Sequence, residues 1–364
     1  MPSQTENRKV EHINISLQKD VQARKISTGF EDVYFVHQAL PEINRDEICP
    51  STCFLGHKFS APLFVGAMTG GTPEAAKINR SIAEAVEELG LGMGVGSQRA
   101  ALEDPRLRST YKIVRKKAPN AFLVANIGAP QLAKGYGVKE VMEAVEMIRA
   151  DALAIHLNPL QEAIQPEGEA SYKGCLQKIG DLAETLQVPL IVKETGAGIS
   201  AEVAQKLERV GVECVDVSGA GGTSWAAVEY YRAESSNDTL RKRLGESFWD
   251  WGVPTVASIV EVVQSTKLKP IASGGIRTGS QIAKALALGA DMTSISTPIL
   301  RPAIESAEEV EKTLSFLIEE LINSMFLIGA ESVDKLKKAS LVILGKTATW
   351  LERRGFKPEA YARR

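Results

Sequence analysis

Three things are scarce in this chain, and each scarcity removes a class of function. Basic residues are not in excess: 43 Lys and Arg stand against 45 Asp and Glu, so no broad positive field exists to attract nucleic acid. Long apolar runs are missing too. No window approaches the roughly 18 to 20 consecutive apolar residues a spanning helix requires, and the polar start MPSQTENRKVEH lacks the apolar stretch of a signal peptide. A cytoplasmic protein without membrane or nucleic-acid partners is expected. Cysteine is limited to Cys49, Cys53, Cys175 and Cys214. That is too few for a disulfide scaffold, and Cys49-x-x-x-Cys53 has no second ligand pair at zinc spacing, so all four read as thiols.

What is present is ordinary globular material: 364 residues, 44% hydrophobic and 24% charged, enough to bury a large core. From Leu63 onward, short β-rich runs alternate with segments of helical period, the pattern of repeated βα units around a parallel sheet. The runs are LFVGA (63–67), GMGVG (92–96), AFLVAN (121–126), ALAIHL (152–157), PLIVKE (189–194), ECVDVSG (213–219), PIASGG (270–275) and DMTSIS (291–296). Eight is the number that closes an α/β barrel, so a (β/α)₈ TIM barrel is predicted. Between the runs, Thr72 and Pro73 open a helix that Gly90 ends, with Ile78, Ile82, Val86 and Leu89 on its inner face. Val138, Val141, Val145 and Ile148 space another apolar stripe, and Ile282, Leu286 and Gly289 mark a short helix between the last two strands. The organisation expected is a single domain over 1–364: an N-terminal extension (1–61), a barrel core (62–301), and a final barrel helix with extra C-terminal helices (302–364), where Val310, Leu314, Leu317, Leu321 and Met325 recur.

Some motifs fail on inspection. Gly345-Lys346-Thr347 resembles the end of a phosphate-binding loop, but the position five residues earlier is Ser340 and the required first glycine is absent. Gly219-Ala-Gly221-Gly222-Thr223-Ser224 nearly spells a dinucleotide fingerprint, yet eight units do not make a doubly wound sheet, and a glycine loop at a barrel mouth fits better. His37 and His57 sit in irregular sequence without nearby ligands and are left to surface or packing roles. His156 falls at the end of the fourth strand, where barrel enzymes place their chemistry; a hydrogen-bonded core histidine is the alternative.

Polar residues at the ends of barrel strands converge on one mouth. Gly274-Gly275, with Ile276-Arg277 and a short helix behind them, would turn bare backbone N–H groups and a helix N-terminus toward a phosphate, and Ser296-Thr297 would complete the cup. Thr69, Ser97, Asn126 and Lys193 suit the edge of a wide polar ring such as a flavin, unless Lys193 simply pairs with a neighbouring carboxylate. Arg99 and the early Arg8-Lys9-x-x-His12 cluster could hold a diphosphate whose Mg²⁺ is anchored by Glu162, since Mg²⁺ often takes only one or two protein carboxylates. Taken alone, the N-terminal cluster reads better as a disordered basic tail.

Together these residues resemble one family, the FMN-dependent type 2 isopentenyl-diphosphate isomerases. The likeness is carried by R-K-x-x-H at Arg8, Lys9 and His12, G-A-M-T-G-G at 66–71, G-S-x-R at 96–99 and H-x-N-P-L-Q-E at 156–162. It continues through V-K-E at 192–194, D-V-S-G-A-G-G-T-S-W at 216–225, A-S-G-G at 272–275 and A-L-A-L-G-A-D at 285–291. The resemblance implies that Ala67, Met68, Thr69, Ser97, Asn126, Lys193, Ser218 and Thr223 contact FMN, with Gly275, Ile276, Arg277, Ser296 and Thr297 on its phosphate side. It implies that Arg8, Lys9, His12, Arg99, Asn158 and Gln161 face isopentenyl or dimethylallyl diphosphate and that Glu162 binds Mg²⁺. It further implies a redox-neutral shift of a double bond with reduced FMN as the acid–base group and NADPH as reductant. Lys193 would favour the anionic reduced flavin, with Gln161 and His156 orienting the alkene. A homo-tetramer or homo-octamer is the assembly such barrels suggest. Two rivals stand beside this: an FMN-dependent 2-hydroxy-acid dehydrogenase, and a non-catalytic phosphometabolite-binding barrel.

Overall fold

The computed structural model describes residues 4–364, with side chains described from Asn7 onward; the first three residues of the polar start lie outside the described residues. Eight parallel strands close a barrel: β1 (Leu63–Val65), β2 (Gly92–Gly94), β3 (Phe122–Gly128), β4 (Ala152–Leu157), β5 (Leu190–Glu194), β6 (Cys214–Asp216), β7 (Lys269–Ala272) and β8 (Met292–Ile295). They are hydrogen-bonded in chain order, and β8 returns to β1 through Thr293–Leu63, Ser294–Phe64 and Ile295–Val65. Each expected run contains one strand. Most strands stop short of the run's glycine or serine tail, because those tails leave the ladder to form the mouth; β3 instead continues past Asn126 to Gly128.

The side chains of a strand alternate between faces, and two cores result. Phe64, Val124, Ala154, Ile191, Cys214, Ile271 and Met292 pack together inside the barrel. Their neighbours Val65, Leu123, Ile155, Val192 and Val215 pack outward among the helices. A hairpin, Thr52–Phe54 with His57–Phe59, plugs the N-terminal end with Phe54 and Phe59. His57 lies edge-on to Phe59, with ring centroids 4.9 Å apart, so it serves packing.

The helix Pro73–Leu89 starts where its signals place it. Thr72 Oγ1 accepts from Ala75 N at 3.1 Å, a cap of about 1 kcal/mol, and Gly90 ends it at φ 64°, the left-handed conformation that glycine adopts without a Cβ clash. The stripe on Val138–Ile148 holds at Val141, Val145 and Ile148, but Val138 is exposed, because a first-turn residue overhangs the end of the packed face. The helix Ala307–Leu327 buries Val310, Leu314, Leu317, Leu321 and Met325. At Gly345-Lys-Thr the Asp32 carboxylate, not a phosphate, takes the helix N-terminus: Thr347 N donates to Asp32 Oδ2 at 2.9 Å.

The N-terminal segment departs from a disordered tail. It forms a helix, α1 (Gln4–Gln18), lying against the helix Trp225–Ser235. Beyond it, Ala23 N donates to Gly222 O and Ser224 N to Val21 O, both at 2.8 Å. Val33–Phe35 then pairs antiparallel with Leu341–Ile343 near the other end of the chain. Among the described residues, no helix is long and apolar enough to cross a membrane.

Candidate active site

A cavity of about 260 Å³ opens at the C-terminal ends of the strands, where the strand tails and βα loops leave polar side chains free of the ladder. Its wall brings together every site residue singled out in the sequence, from Arg8, Lys9 and His12 on α1 to Ser296 and Thr297 after β8. Location is common to all of them; environment divides them into groups.

The first group follows β7 and β8. Gly274 and Gly275 adopt φ of 97° and 74°, which turns successive peptide planes toward the cavity. The backbone N–H groups of Gly275 and Ile276 have no acceptor among the described residues. Thr223 and Thr297 share a hydroxyl contact of 2.7 Å at the start of the nine-residue helix Thr297–Glu305. Arg277 donates to Gln22 Oε1 at 2.9 Å and to Ile276 O at 3.1 Å and has no carboxylate partner among the described residues. Free amides, a helix N-terminus and an unpaired guanidinium form a cradle for a phosphate dianion.

The second group rings the mouth above β1 to β5. Thr69 Oγ1, Ser97 Oγ and Asn126 Nδ2 have no partner among the described residues, so their hydrogen-bonding capacity faces the cavity. A Cβ on Gly66 would come within 2.5 Å of Ser296 Oγ, and one on Gly96 within 2.6 Å of the Thr69 backbone, so glycine lets these strand tails pack this closely around the cavity. This donor-rich, glycine-lined space fits a flavin.

Lys193 takes up part of the carboxylate-paired alternative. Its Nζ donates to Glu194 O at 2.6 Å and lies 3.8 Å from Asp216 Oδ2, while still reaching the wall. Asp216 is buried and also accepts from Ser273 Oγ. Glu194 is buried with Oε2 receiving the N–H groups of Thr195, Gly196 and Ala197 at 2.5–2.7 Å; burial nevertheless pushes its carboxyl up to about 7.

His156 pairs its Nδ1 with Asn126 Oδ1 at 2.7 Å. Burial, followed by the charges of Lys193, Arg8 and Lys9, drives its pKa down to about 3, so the ring is neutral and Nε2 is left as an acceptor when Nδ1 carries the proton. Gln161 is held on both sides, its Oε1 accepting from Asn158 Nδ2 at 3.1 Å and its Nε2 donating to Glu229 Oε1 at 3.3 Å.

The third group is basic: Arg8, Lys9 and His12 on α1, with Arg99 on the short helix after β2. Lys9 Nζ donates to Ser97 O at 3.0 Å and to the Tyr111 hydroxyl at 2.6 Å. Burial and then the adjacent Arg8 charge bring its ammonium down to about 7, against a pull from Glu103. Arg8 Nε lies 3.9 Å from Glu167, and His12 Nε2 lies 2.9 Å from Glu229. Arg99 pairs with Glu103 at 2.7 Å and Glu169 at 3.1 Å. Below them Glu162 accepts from Asn158 Nδ2 at 2.9 Å, Gln165 Nε2 at 2.7 Å and Glu169 N at 2.6 Å. Among the described residues no group of three or more His, Cys, Asp or Glu could hold a metal. A cation here would draw on Glu162, nearby amide oxygens and a ligand's own phosphates.

Sequence reasoning missed Glu229, Asp216, Tyr111 and Tyr172. Glu229 is fully buried yet below the usual carboxylate range, because His12 and Arg232 offset the penalty of burial. A charge inside the apolar helix W-A-A-V-E and another inside the apolar strand C-V-D-V were the available signals. The tyrosines carried none. Tyr172 donates to Asn158 Oδ1 at 2.9 Å and accepts from Asn158 N at 3.0 Å, but a lone tyrosine in a loop does not announce a partner 14 residues away.

Comparison with known proteins adds three findings. A profile of the FMN-dependent dehydrogenase family matches residues 158–343. The isopentenyl-diphosphate delta-isomerase of Methanosarcina acetivorans is 49% identical over 362 residues, covering 100% of this chain and 98% of that protein. That of Pyrococcus furiosus is 51% identical over 355 residues, covering 95% and 89%. Among solved structures, a Pediococcus acidilactici protein described as a lactate oxidase superposes with a TM-score of 0.68 at 14% identity, over 95% of this chain and 96% of that one. At that identity the likeness speaks for the barrel fold alone.

Proposed function

The chain belongs to the isopentenyl-diphosphate delta-isomerase family and is an isomerase, and from that premise we propose that its cavity converts isopentenyl diphosphate to dimethylallyl diphosphate with reduced FMN and Mg²⁺. The observation that carries this reading is the presence of two separate anion-holding groups in one cavity. One follows β7 and β8; the other is the row of basic residues on α1, anchored to Ser97, Glu167 and Glu229 after β2, β4 and β6. A phosphorylated cofactor and a diphosphate substrate account for both.

The residues present fit FMN: Gly275, Ile276, Arg277, Ser296 and Thr297 would hold its phosphate, with Ala67, Met68, Thr69, Ser97, Asn126, Ser218, Thr223 and Lys193 around its ring. Reduced FMN supplies an acid–base group that no side-chain pair of this cavity offers to an unactivated alkene. The chain's own groups do the rest. Lys193, steadied by Asp216, keeps a positive charge at the ring edge. Arg8, Lys9, His12 and Arg99 hold the diphosphate, and Glu162 with Asn158 would share Mg²⁺ with its oxygens. Neutral His156 and the doubly held Gln161 present polar but uncharged groups to the hydrocarbon, orienting it without an imidazolium charge that would oppose a cation-like state. A 2-hydroxy-acid dehydrogenase is less well served, since that chemistry needs a base beside the flavin and burial holds His156 far from a basic pKa.

The test is turnover of isopentenyl diphosphate under anaerobic conditions. Oxidised enzyme should be inactive; dithionite or NADPH should switch it on without stoichiometric consumption, and D₂O should label substrate and product. Equal rates from oxidised and reduced enzyme, or from enzyme reconstituted with reduced 5-deaza-FMN, would remove the flavin from proton transfer.

A further inference from the structure

Arg232, on the helix Trp225–Ser235, is outside the cavity wall and has entered so far only as a partner of Glu229. Its guanidinium reaches three carboxylates on three different parts of the chain. Nη1 donates to Glu229 Oε2 at 2.7 Å, Nη2 to Glu167 Oε1 at 2.8 Å and Nε to Glu11 Oε2 at 2.9 Å. Each of those carboxylates neighbours a basic residue of the cavity wall. Glu11 is on α1 beside His12, Glu167 is 3.9 Å from Arg8, and the other oxygen of Glu229 takes His12 at 2.9 Å.

Besides this link, α1 is held by Lys9 on Ser97 and Tyr111, by His12 on Glu229 and by Arg8 beside Glu167. Among its described side chains Ile13 is the one buried apolar residue, with Ile15 and Leu17 packed only in part, so polar links carry much of its docking. A lysine could not replace this link, because only the planar fork of arginine meets three acceptors in fixed directions. Without it Glu11 loses its partner. Glu167 is then left unneutralised beside Arg8, where it competes with a diphosphate for the same cation.

We propose that Arg232 is a positioning residue for the isomerisation, clamping α1 over the barrel mouth so that the side chains of Arg8, Lys9 and His12 face the substrate diphosphate. The inference rests on the reading of α1 as the diphosphate-holding element. Glu229 keeps His12 and Gln161 as partners when Arg232 is removed, so the loss should fall on substrate capture more than on the chemical step.

The experiment uses the full, FMN-loaded chain. Arg232→Gln should raise KM for isopentenyl diphosphate on the order of tenfold or more while kcat moves about threefold or less. FMN retention should be unchanged, and the backbone amides of residues 4–18 should exchange with D₂O about tenfold faster than in the parent. Arg232→Lys should recover only part of both effects. Glu11→Gln, which alters one exposed carboxylate and leaves the buried pairs intact, should reproduce the faster exchange with a smaller rise in KM. Parent-like KM and exchange in Arg232→Gln would overturn the clamp, as would an equal fall in kcat and FMN content. If Arg232→Gln fails to fold, unchanged exchange in Glu11→Gln overturns the clamp in its place. A parent enzyme that does not turn over isopentenyl diphosphate sinks the functional reading instead, while the exchange comparison still decides the clamp.

Discussion

Lys9 makes the affinity for a diphosphate depend on pH in a calculable way. Its ammonium titrates at about 7 because it is buried beside Arg8, so roughly nine-tenths of it is charged at pH 6 and roughly a tenth at pH 8. The charged form is the one that holds an anion. Deprotonation as pH rises through 7 therefore weakens binding, and if neutral Lys9 contributes nothing, KM should climb about tenfold between pH 6 and pH 8. Binding should also return the proton, with uptake approaching one per site at pH 8, read by calorimetry in two buffers of different ionisation enthalpy. The groups facing Lys9 are Arg8, Glu103 and Tyr111, and burial pushes the Tyr111 phenol well above this range. Because the diphosphate titrates as well, the decisive quantity is the difference between the parent and Lys9→Arg, whose charge persists throughout. Superimposable KM profiles from the two proteins would refute the reasoning. The same depression has a consequence for stability: folding releases a proton from Lys9 between pH 7 and about 10.5, so this group makes stability rise with pH across that window and Lys9→Met should reduce the slope.

Three further expectations concern the cofactor and metal. Lys193→Ala should still bind oxidised FMN but retain the reduced form less well on gel filtration, and equal retention of both would end the electrostatic role assigned to it. Glu162→Gln should leave FMN bound and raise the Mg²⁺ needed for half-maximal activity several-fold, since an amide oxygen is a weaker ligand for this hard cation; an unshifted Mg²⁺ titration would place the metal elsewhere. Gly275→Ala should elute without flavin yet with a barrel-like circular dichroism spectrum. A Cβ there collides with Thr28 and sits at φ 74°, a conformation that costs an L-residue roughly 1–2 kcal/mol. Full FMN occupancy in this variant would mean the cup is more plastic than its contacts suggest.

The barrel was legible because its signals are local. Two-sided apolar runs such as LFVGA and caps such as Thr72-Pro73 and Gly90 act within a few residues, and all eight strands formed where they were expected. The cavity wall was legible for a related reason: a parallel barrel sends every strand end to one rim, so naming the strand ends names the wall. What escaped was set by long-range pairing. The fate of Arg8-Lys9-x-x-His12 depended on Ser97, Tyr111, Glu167 and Glu229, none of which is near it in sequence, so a docked helix read as a loose basic tail. Glu229 and Asp216 are buried charges whose partners lie on other elements. Their oddity was visible in the apolar surroundings; their purpose was not.

The pairing of Val33–Phe35 with Leu341–Ile343 sets an order on biosynthesis. The first of these strands leaves the ribosome about 300 residues before the second, which at 5 to 20 residues per second is an interval of roughly 15 to 60 seconds. During that time α1 can already dock, since Ser97, Tyr111, Glu167 and Glu229 are all made before residue 341, while an unpaired edge carrying Tyr34 waits in water. The end of the chain thus closes a two-stranded sheet that its beginning opened, and a nascent chain halted before residue 341 carries an open strand edge, the kind of surface that invites pairing with another chain.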